Sequence, residues 1–458
     1  MVSSARDFDG VVGKINHIAA KNLTNQEFGL TPISSLDFAF PRVELKVGTL
    51  KQGVATETLP PEILKFIKSV TFEQSSEIAD MITITCDNPD NMFLDLYDYF
   101  SEDTIVDVYM GYGKKSIGFI GRAVLLRWLP NFPEGKNAPS ITLKGYSLEN
   151  VFMRQKGPTN LDLGEGKTAA QLASTIVQKQ TETRIFEDML ASEAVAKILT
   201  RSAYSNYNFH EAIHETDIKR TWTQPLNMSD WEFIRNLAQF HGFECGIESF
   251  KTYNAFYFTP ETVYKTKPIG NLVYGAGPYS TLLSFKPEWG FETIPTSVEV
   301  IGIDKKTGEV VRSTISTELE TDKDEPRIQR KRGNRSSSTK KKKDELDYGT
   351  NLVLQEFGDS FLTIPINDIS PKEAGLYARS VLCSKLKNFF VGTGKILGHY
   401  EFSAGQVWRL HNISNKLFRE DGYYVYSAKH TFDRGTGYTN TFKCRMLLPE
   451  EVRPEVKR

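Results

Sequence analysis

IVDVYMGY at 105–112, GFIGRAVLLRWLP at 118–130 and ITLKGYSL at 141–148 are three apolar-rich runs separated by short polar breaks carrying Gly, Lys and Pro. Each run has the length of a strand and each break suits a turn, so the stretch reads as a three-strand meander. The same order and length of elements returns at the far end of the chain: QVWRLHNI at 406–413, GYYVYSAKHTF at 422–432 and TNTFKCRM at 439–446. Residue identity between the two stretches is negligible, and in both a more helical segment precedes the meander. The pattern predicts an internal repeat, two similar β-barrels in one chain. Two unrelated β domains are the alternative.

Working outward from the first meander, RVELKVG at 42–48 alternates Val43, Leu45 and Val47 with charged neighbours, as a half-buried strand does. FIKSVTFEQ (66–74) and MITITCDNPD (81–90) continue the strands, and Asn88-Pro89-Asp90 closes the second with turn chemistry. MFLDLYDYF (92–100) suits one or two helical turns. These elements assign 41–152 to a first β-barrel, after an N-terminal lead at 1–40.

Residues 153–278 change character and predict a smaller α/β domain inserted after that barrel. KTAAQLASTIVQKQ (167–180) places Ala170, Leu172, Ala173, Ile176 and Val177 on one helical stripe, with Thr168 and Gln171 as a capping-box pair. MLASEAVAKIL (189–199) is a second helical stretch. SDWEFIRNLAQFHG (229–242) is the best-punctuated helix: Ser229 caps it, Glu232 returns the bond and Gly242 stops it. FECGIE (243–248) and NAFYFTP (254–260) are short strands. From 279 the strands resume with TLLSFKPEW (281–289) and a hairpin, TSVEVIGIDKKTGEVVRSTIS (296–316), whose turn carries Gly308. Residues 279–319 and 349–449 are assigned to a second β-barrel that includes one helix, SPKEAGLYARSVLCSKLKNF (370–389). The interruption at 320–348 is almost free of apolar residues and reads as a basic flexible loop. Residues 450–458 are a polar tail. The fold class is mainly β with an α+β insertion: two similar tube-protein-like β-barrels plus a smaller α/β domain.

The bulk composition narrows the function. Fifty-six basic and 57 acidic side chains leave a net charge of −1, which argues against a whole-protein nucleic-acid clamp. Cys86, Cys245, Cys383 and Cys444 are scattered with no C-x-x-C pair, so neither a zinc ribbon nor a disulfide framework is expected. The opening residues lack an apolar h-region and no run is long enough for a spanning helix, so neither a secretory signal nor a membrane association is expected.

His210-Glu211-Ala212-Ile213-His214 matches the H-E-x-x-H zinc-protease pattern, in which a helix brings both imidazoles to one metal. The metzincin continuation fails at Asp217 and Arg220. The flanks alternate like a strand, with Phe209 and Ile213 on one side. His210 and His214 are therefore the metal candidates, with Glu232 or Glu244 as the third ligand such a site would need, and the expectation is no metal, no cofactor and no catalytic residue. Gly164-Glu165-Gly166-Lys167-Thr168 lacks the upstream glycine of a phosphate loop, Leu161 standing in its place. The basic run 327–343 suits a solvated insertion better than a contact with DNA in the tail or with an acidic face of a partner, and it has no interleaved aromatics for single-strand stacking. Asp95, Asp98, Glu102 and Asp103 read as ordinary strand-end and loop acids. Trp128 and Trp408 suit either core or an interface.

Three segments carry a resemblance to a family. Residues 224–242, QPLNMSDWEFIRNLAQFHG, resemble a glutamine followed by Ser-Asp-Trp-x-Phe-(Leu/Ile)-Arg-x-Leu-Ala and a glycine. AGQV (404–407), DGYYV (421–425) with His430, and GYTNTF (437–442) resemble a closing meander of that family. VEVIGIDKKTG (298–308) resembles the strand and hairpin that open its second barrel. The chain thus resembles the baseplate central hub proteins of contractile phage tails, the late control protein D family, and the hub half of type VI secretion spike proteins. The resemblance spans about 40–449 in architecture and is sharp only in those segments. It implies a structural, non-enzymatic homotrimer of the virion tail baseplate, made in the host bacterial cytoplasm, which adapts a sixfold tail tube to a threefold central spike. Implied partners are the central spike protein, the tail tube or tube-initiator protein, other baseplate proteins and the tape measure protein, with DNA present only in transit through the channel. No spike-like repeat or lysozyme-like domain follows the second barrel, so the spike would be a separate protein. A zinc-dependent peptidase with barrel domains and a receptor-binding tail module are the alternatives.

Overall fold

The apolar–polar alternation read above becomes strands throughout. The computed structural model describes residues 40–446 except 90–99, 101–103, 114–115, 135–137, 156–183, 202–203, 205–206, 208, 226–227, 261–267, 276–280, 291–294, 305–306, 317–359, 388–389 and 414–421. The lead 1–39, segment 92–99, the helix expected at 167–180, the glycine-rich run 164–168, the basic loop 320–348, the acids Asp95, Asp98, Glu102 and Asp103, and the tail 450–458 lie outside the described residues.

In chain order the strands are β1 (Pro41–Thr49), β2 (Glu57–Thr58), β3 (Ile67–Ser75), β4 (Met81–Asp87), β5 (Thr104–Tyr112), β6 (Ser116–Asn131) and β7 (Ser140–Tyr146). The middle holds β8 (Arg184–Leu190), β9 (Phe209–Ile213), β10 (Lys219–Gln224), β11 (Phe243–Ser249) and β12 (Asn254–Pro260). The remainder are β13 (Gly270–Val273), β14 (Leu282–Trp289), β15 (Ser297–Ile303), β16 (Val310–Ser316), β17 (Phe361–Ile366), β18 (Phe390–Leu397), β19 (Val407–His411), β20 (Tyr423–Asp433) and β21 (Gly437–Met446). The helices are α1 (Pro61–Leu64), α2 (Glu149–Arg154), α3 (Ala191–Leu199), α4 (Asp230–His241) and α5 (Pro371–Leu386).

Both meanders form, and they belong to one sheet of 13 strands. Its path runs β14-β18-β21-β20-β3-β4-β7-β6-β5-β1-β2, with β19 lying between β20 and β13. The two ends of the chain repeat one topology. In the first unit the strand order is β5-β6-β7-β4-β3, and in the second it is β19-β20-β21-β18-β14, all neighbours antiparallel. Each strand therefore has a counterpart of the same rank in the chain.

Two pairs of β-bulges sharpen the match. β6 shifts register against β7 between Leu125 and Arg127, and β20 shifts against β21 between Val425 and Ser427. β3 shifts against β4 between Ile67 and Ser69, and β14 shifts against β18 between Leu282 and Ser284. A bulge bends and twists its strand locally, so four bulges at two corresponding places mean that both units bend alike. Aligning the ladders on these bulges equates Phe132 with Phe432 and Phe285 with Val70. The units differ at their flank: β1 pairs β5 antiparallel, whereas β13 pairs β19 in parallel. The helical segment expected before the second meander is α5, and it precedes β18 rather than the meander itself.

Two boundaries differ from the sequence reading. The hairpin β15–β16, expected to open the second barrel, joins β17 in a separate three-stranded sheet instead. β17 runs parallel to β15, and Val298, Val300 and Val311 pack on Ala374, Ala378, Val381 and Leu382 of α5. The valine face of β15 and β16 buried under α5 makes its own core, so this unit stands apart from the large sheet. Conversely, β13, assigned to the inserted domain, pairs β19 of the large sheet. The insertion proper is built from β8–β10 and β9–β12–β11 around α2, α3 and α4.

The core of the first unit is completed from the other end of the chain. Val70, Phe72, Ile84, Val108, Leu125 and Leu143 enclose it together with Phe432 and Tyr438 of the β20–β21 hairpin. Replacing Phe432 by Ala is expected to cost about 3 kcal/mol or more, as other buried Phe truncations do. Urea unfolding measures the loss, and amide exchange should accelerate in β3 and β4, far from the mutation in sequence. An unchanged midpoint would show that the first core stands without the hairpin.

Candidate assembly interface

The join between the two units is a strand pairing. Residues Ser427 to Asp433 of β20 pair antiparallel with Ser75 to Ser69 of β3, while the other edge of β20 pairs with β21 along its length. The long strand thus outruns β19, which it meets only at Val407 and Trp408, and offers the rest of that edge to the first unit. Side chains lock the join. Gln74 donates to the Ile120 carbonyl at 2.8 Å and accepts from the Ala404 amide at 3.3 Å, while the Tyr112 hydroxyl donates to the Tyr438 carbonyl. Lys429 meets Glu73 at 3.8 Å. Gly118 faces the ring of Tyr400 so closely that any Cβ there would overlap it, which lets β6 lie against the loop before β19.

His430, fully buried at this join, shares a hydrogen bond with the Tyr438 hydroxyl at 2.7 Å. Burial pulls its imidazole down from the ordinary 6.5 to about 3.

The inserted domain is tied to the sheet by buried charge. Arg122 of β6 makes a bidentate pair with Asp107 of β5 at 2.6 and 2.8 Å, both side chains inaccessible, and reaches Asn254 of β12 at 2.8 Å. A pair taken out of water is held only when its remaining polar atoms are satisfied. Asn254 and the Lys251 carbonyl do that here.

The Gln224–Ser229–Asp230–Trp231 motif also has a structural explanation. Ser229 caps α4, with the Glu232 amide donating to its hydroxyl at 3.1 Å and Glu232 accepting from the Ser229 amide at 2.8 Å, and Gly242 stops the helix at φ 66°. Asp230 is wholly buried and accepts from Arg184 at 2.9 Å, Gln224 at 2.9 Å, Tyr204 at 2.6 Å and Arg201. The aspartate is the knot that holds β8, β10, α4 and the segment after α3 together. Capping logic accounts for Ser229 and Glu232; the partners of Gln224 and Asp230 appear only in three dimensions.

His210 lies in β9 and His214 just beyond it, with the His214 amide donating to the Phe258 carbonyl at 2.8 Å. At about 3.3 Å per residue an extended segment sets the two backbones roughly 13 Å apart, too far for one ion to bridge. Their rings go to different neighbours, His210 against Tyr253 and His214 against Phe243. Glu232 is used in the cap of α4, and Glu244 lies 3.9 Å from Arg445. Among the described residues no group of three His, Cys, Asp or Glu side chains is placed to hold a metal. Arg220 joins the insertion to the α5 unit through Glu373 at 3.4 Å and the Asp368 carbonyl at 3.3 Å. Trp408 is core, and Trp128 packs partly buried on the first core. No described helix is long and apolar enough to cross a membrane.

Neither a family model nor a curated protein matches the sequence. The fold does recur among solved structures. The chain is similar to the tail protein from Neisseria meningitidis MC58, with a TM-score of 0.54, 10% identity, and 89% of this chain and 97% of that one covered. It is similar to the 43 kDa tail protein of prophage MuSo2 from Shewanella oneidensis, with a TM-score of 0.56, 8% identity, and 90% and 99% covered. A chain of a PdpA–VgrG complex matches at a TM-score of 0.51 and 8% identity, with 91% of this chain and 66% of that one covered. At such identities the likeness is one of fold, and the fold is that of tail proteins.

Two outcomes follow from the geometry. Purified chain loaded with zinc and dialysed should retain no stoichiometric metal by elemental analysis, and His210→Ala should not change the amount. The second concerns His430. Its folded imidazole takes up a proton later than the unfolded one, so its contribution to stability is full above about 6.5 and is lost as pH falls toward about 3. His430→Gln should therefore melt lower than the parent at neutral pH, and the gap between their Tm values should narrow steadily as the pH falls through that window. A constant gap would mean the imidazole is not held neutral.

Proposed function

We propose that this chain is the structural hub of a tail baseplate, a homotrimer that adapts a sixfold tail tube to a threefold central spike, and not an enzyme. The observation that carries the reading is the repeat within the chain: two five-strand units of one strand order, bulged at corresponding places. In this reading each unit is a barrel of the tube-protein kind. Three copies set six similar units around an axis, which a sixfold ring can seat upon, while three copies of everything else meet a threefold partner.

The tail proteins that share the fold support a place in the virion tail. Partners on this reading are the central spike protein, the tube or tube-initiator protein, other baseplate proteins and the tape measure protein, with DNA only passing through. The buried carboxylates fit an assembly role: Asp107 and Asp230 are taken up by guanidinium, amide and hydroxyl donors.

Light scattering coupled to size exclusion tests this directly. The full chain should run at three times its 51.8 kDa mass, either alone or on co-expression with the spike protein of the same tail. A monomer in both preparations overturns the reading.

A further inference from the structure

The join between β20 and β3 has a counterpart that the single chain leaves unfilled. On the bulge alignment, the part of β6 from Arg127 to Asn131 corresponds to the part of β20 that pairs with β3. On the side of β5 its ladder ends at Val124, and no described strand runs along β6 beyond that point. β14 corresponds to β3, and beyond β18 its described strand contact is a single bridge at its first residue, to Tyr274. One chain therefore holds a matched long-strand edge and receiving edge, and in addition one of each left over.

The leftover edges carry the apolar surface that the join needs. Phe432 at the hairpin tip is 7% exposed because it enters the first core, whereas its counterpart Phe132 is 59% exposed. Leu129 on the same hairpin is also exposed, as are Tyr274 and Leu283 beside the receiving edge.

We infer that the β6–β7 hairpin of one copy seats against β14 of a second copy, repeating between chains the join that β20 and β3 make within one. The inference rests on the hub reading and names its contact. Carrying the β20–β3 register across places Leu129 opposite Glu288, Asn131 opposite Lys286 and Phe132 opposite Phe285. The contact is head-to-tail, so each chain gives a hairpin to one neighbour and takes one from the other, and three copies close a ring of six units. The same register sets Pro130 opposite Pro287. Neither has an amide hydrogen, so the ladder between chains breaks at its middle and depends on the insertion of Phe132. Prolines on both edges also keep them from pairing indiscriminately while the chain is alone.

Two variants test this on the full chain. Leu129→Cys combined with Glu288→Cys should form, under mild oxidation, a covalent trimer on a non-reducing gel, and neither single variant should. Phe132→Asp should weaken assembly at least thirty-fold, about the loss of one strong interface anchor, with the unfolding midpoint of the monomer unchanged because the side chain is exposed. A wild-type trimer with no cross-link in the double variant, or one indifferent to Phe132→Asp, overturns the hairpin seat and leaves the hub reading standing. A chain that stays monomeric with its spike and yields no covalent species overturns both. A covalent dimer that never proceeds to a trimer keeps the seat and overturns the closed ring.

Discussion

The ladder between β20 and β3 is the constraint on which the molecule depends. It takes a strand from the last part of the chain, gives one edge of it to the second unit and part of the other edge to the first, and drives Phe432 and Tyr438 into the first core. The first unit is consequently unfinished until the end of the chain has been made. Contacts of such sequence separation delay folding, since loop closure has to precede any gain from burial. The described elements between β7 and β13 leave that sheet and fold beside it as the α2–α4 domain.

Buried charge, not apolar contact alone, sets how that domain sits. The Asp107–Arg122 pair and its Asn254 neighbour lie where the sheet meets β12, and the Asp230 cluster collects two guanidiniums, an amide and a hydroxyl from separated segments. A desolvated ion pair contributes little net stability against an apolar packing of equal volume, but breaking one half of it is costly. Such pairs specify one arrangement. For a protein read as a geometric adaptor, a single arrangement is the property required.

The two joins of the proposed ring are alike in topology and unlike in chemistry. The internal one is an unbroken ladder with a Lys429–Glu73 pair across it, made once as the chain folds. The one between copies places Pro130 and Pro287 at its centre and exposes Phe132 at its tip. A contact that must wait for partners benefits from edges that do not pair with just any strand, and proline is one of the means by which sheet proteins achieve this.

Local chemistry determined a good part of this protein from the sequence alone. The strands of both meanders, the Ser229–Glu232 capping box with its Gly242 stop, the Gly308 turn and the extended form of the HEAIH segment all follow from period, caps and turn residues within a few positions of one another. The likeness of the two meanders was legible for the same reason, as order and length of elements. What only the tertiary structure decided is which edges meet: β20 with β3, β15 in parallel with β17, β13 with β19, and Gln224 and Arg184 with Asp230. Alternation says that a strand has an apolar face but not which strand will cover its edge, because backbone donors and acceptors are the same in every residue. Pro130 and Pro287 belong with these pairings: their correspondence exists only once the bulges place the two prolines at matching positions of the unfilled join.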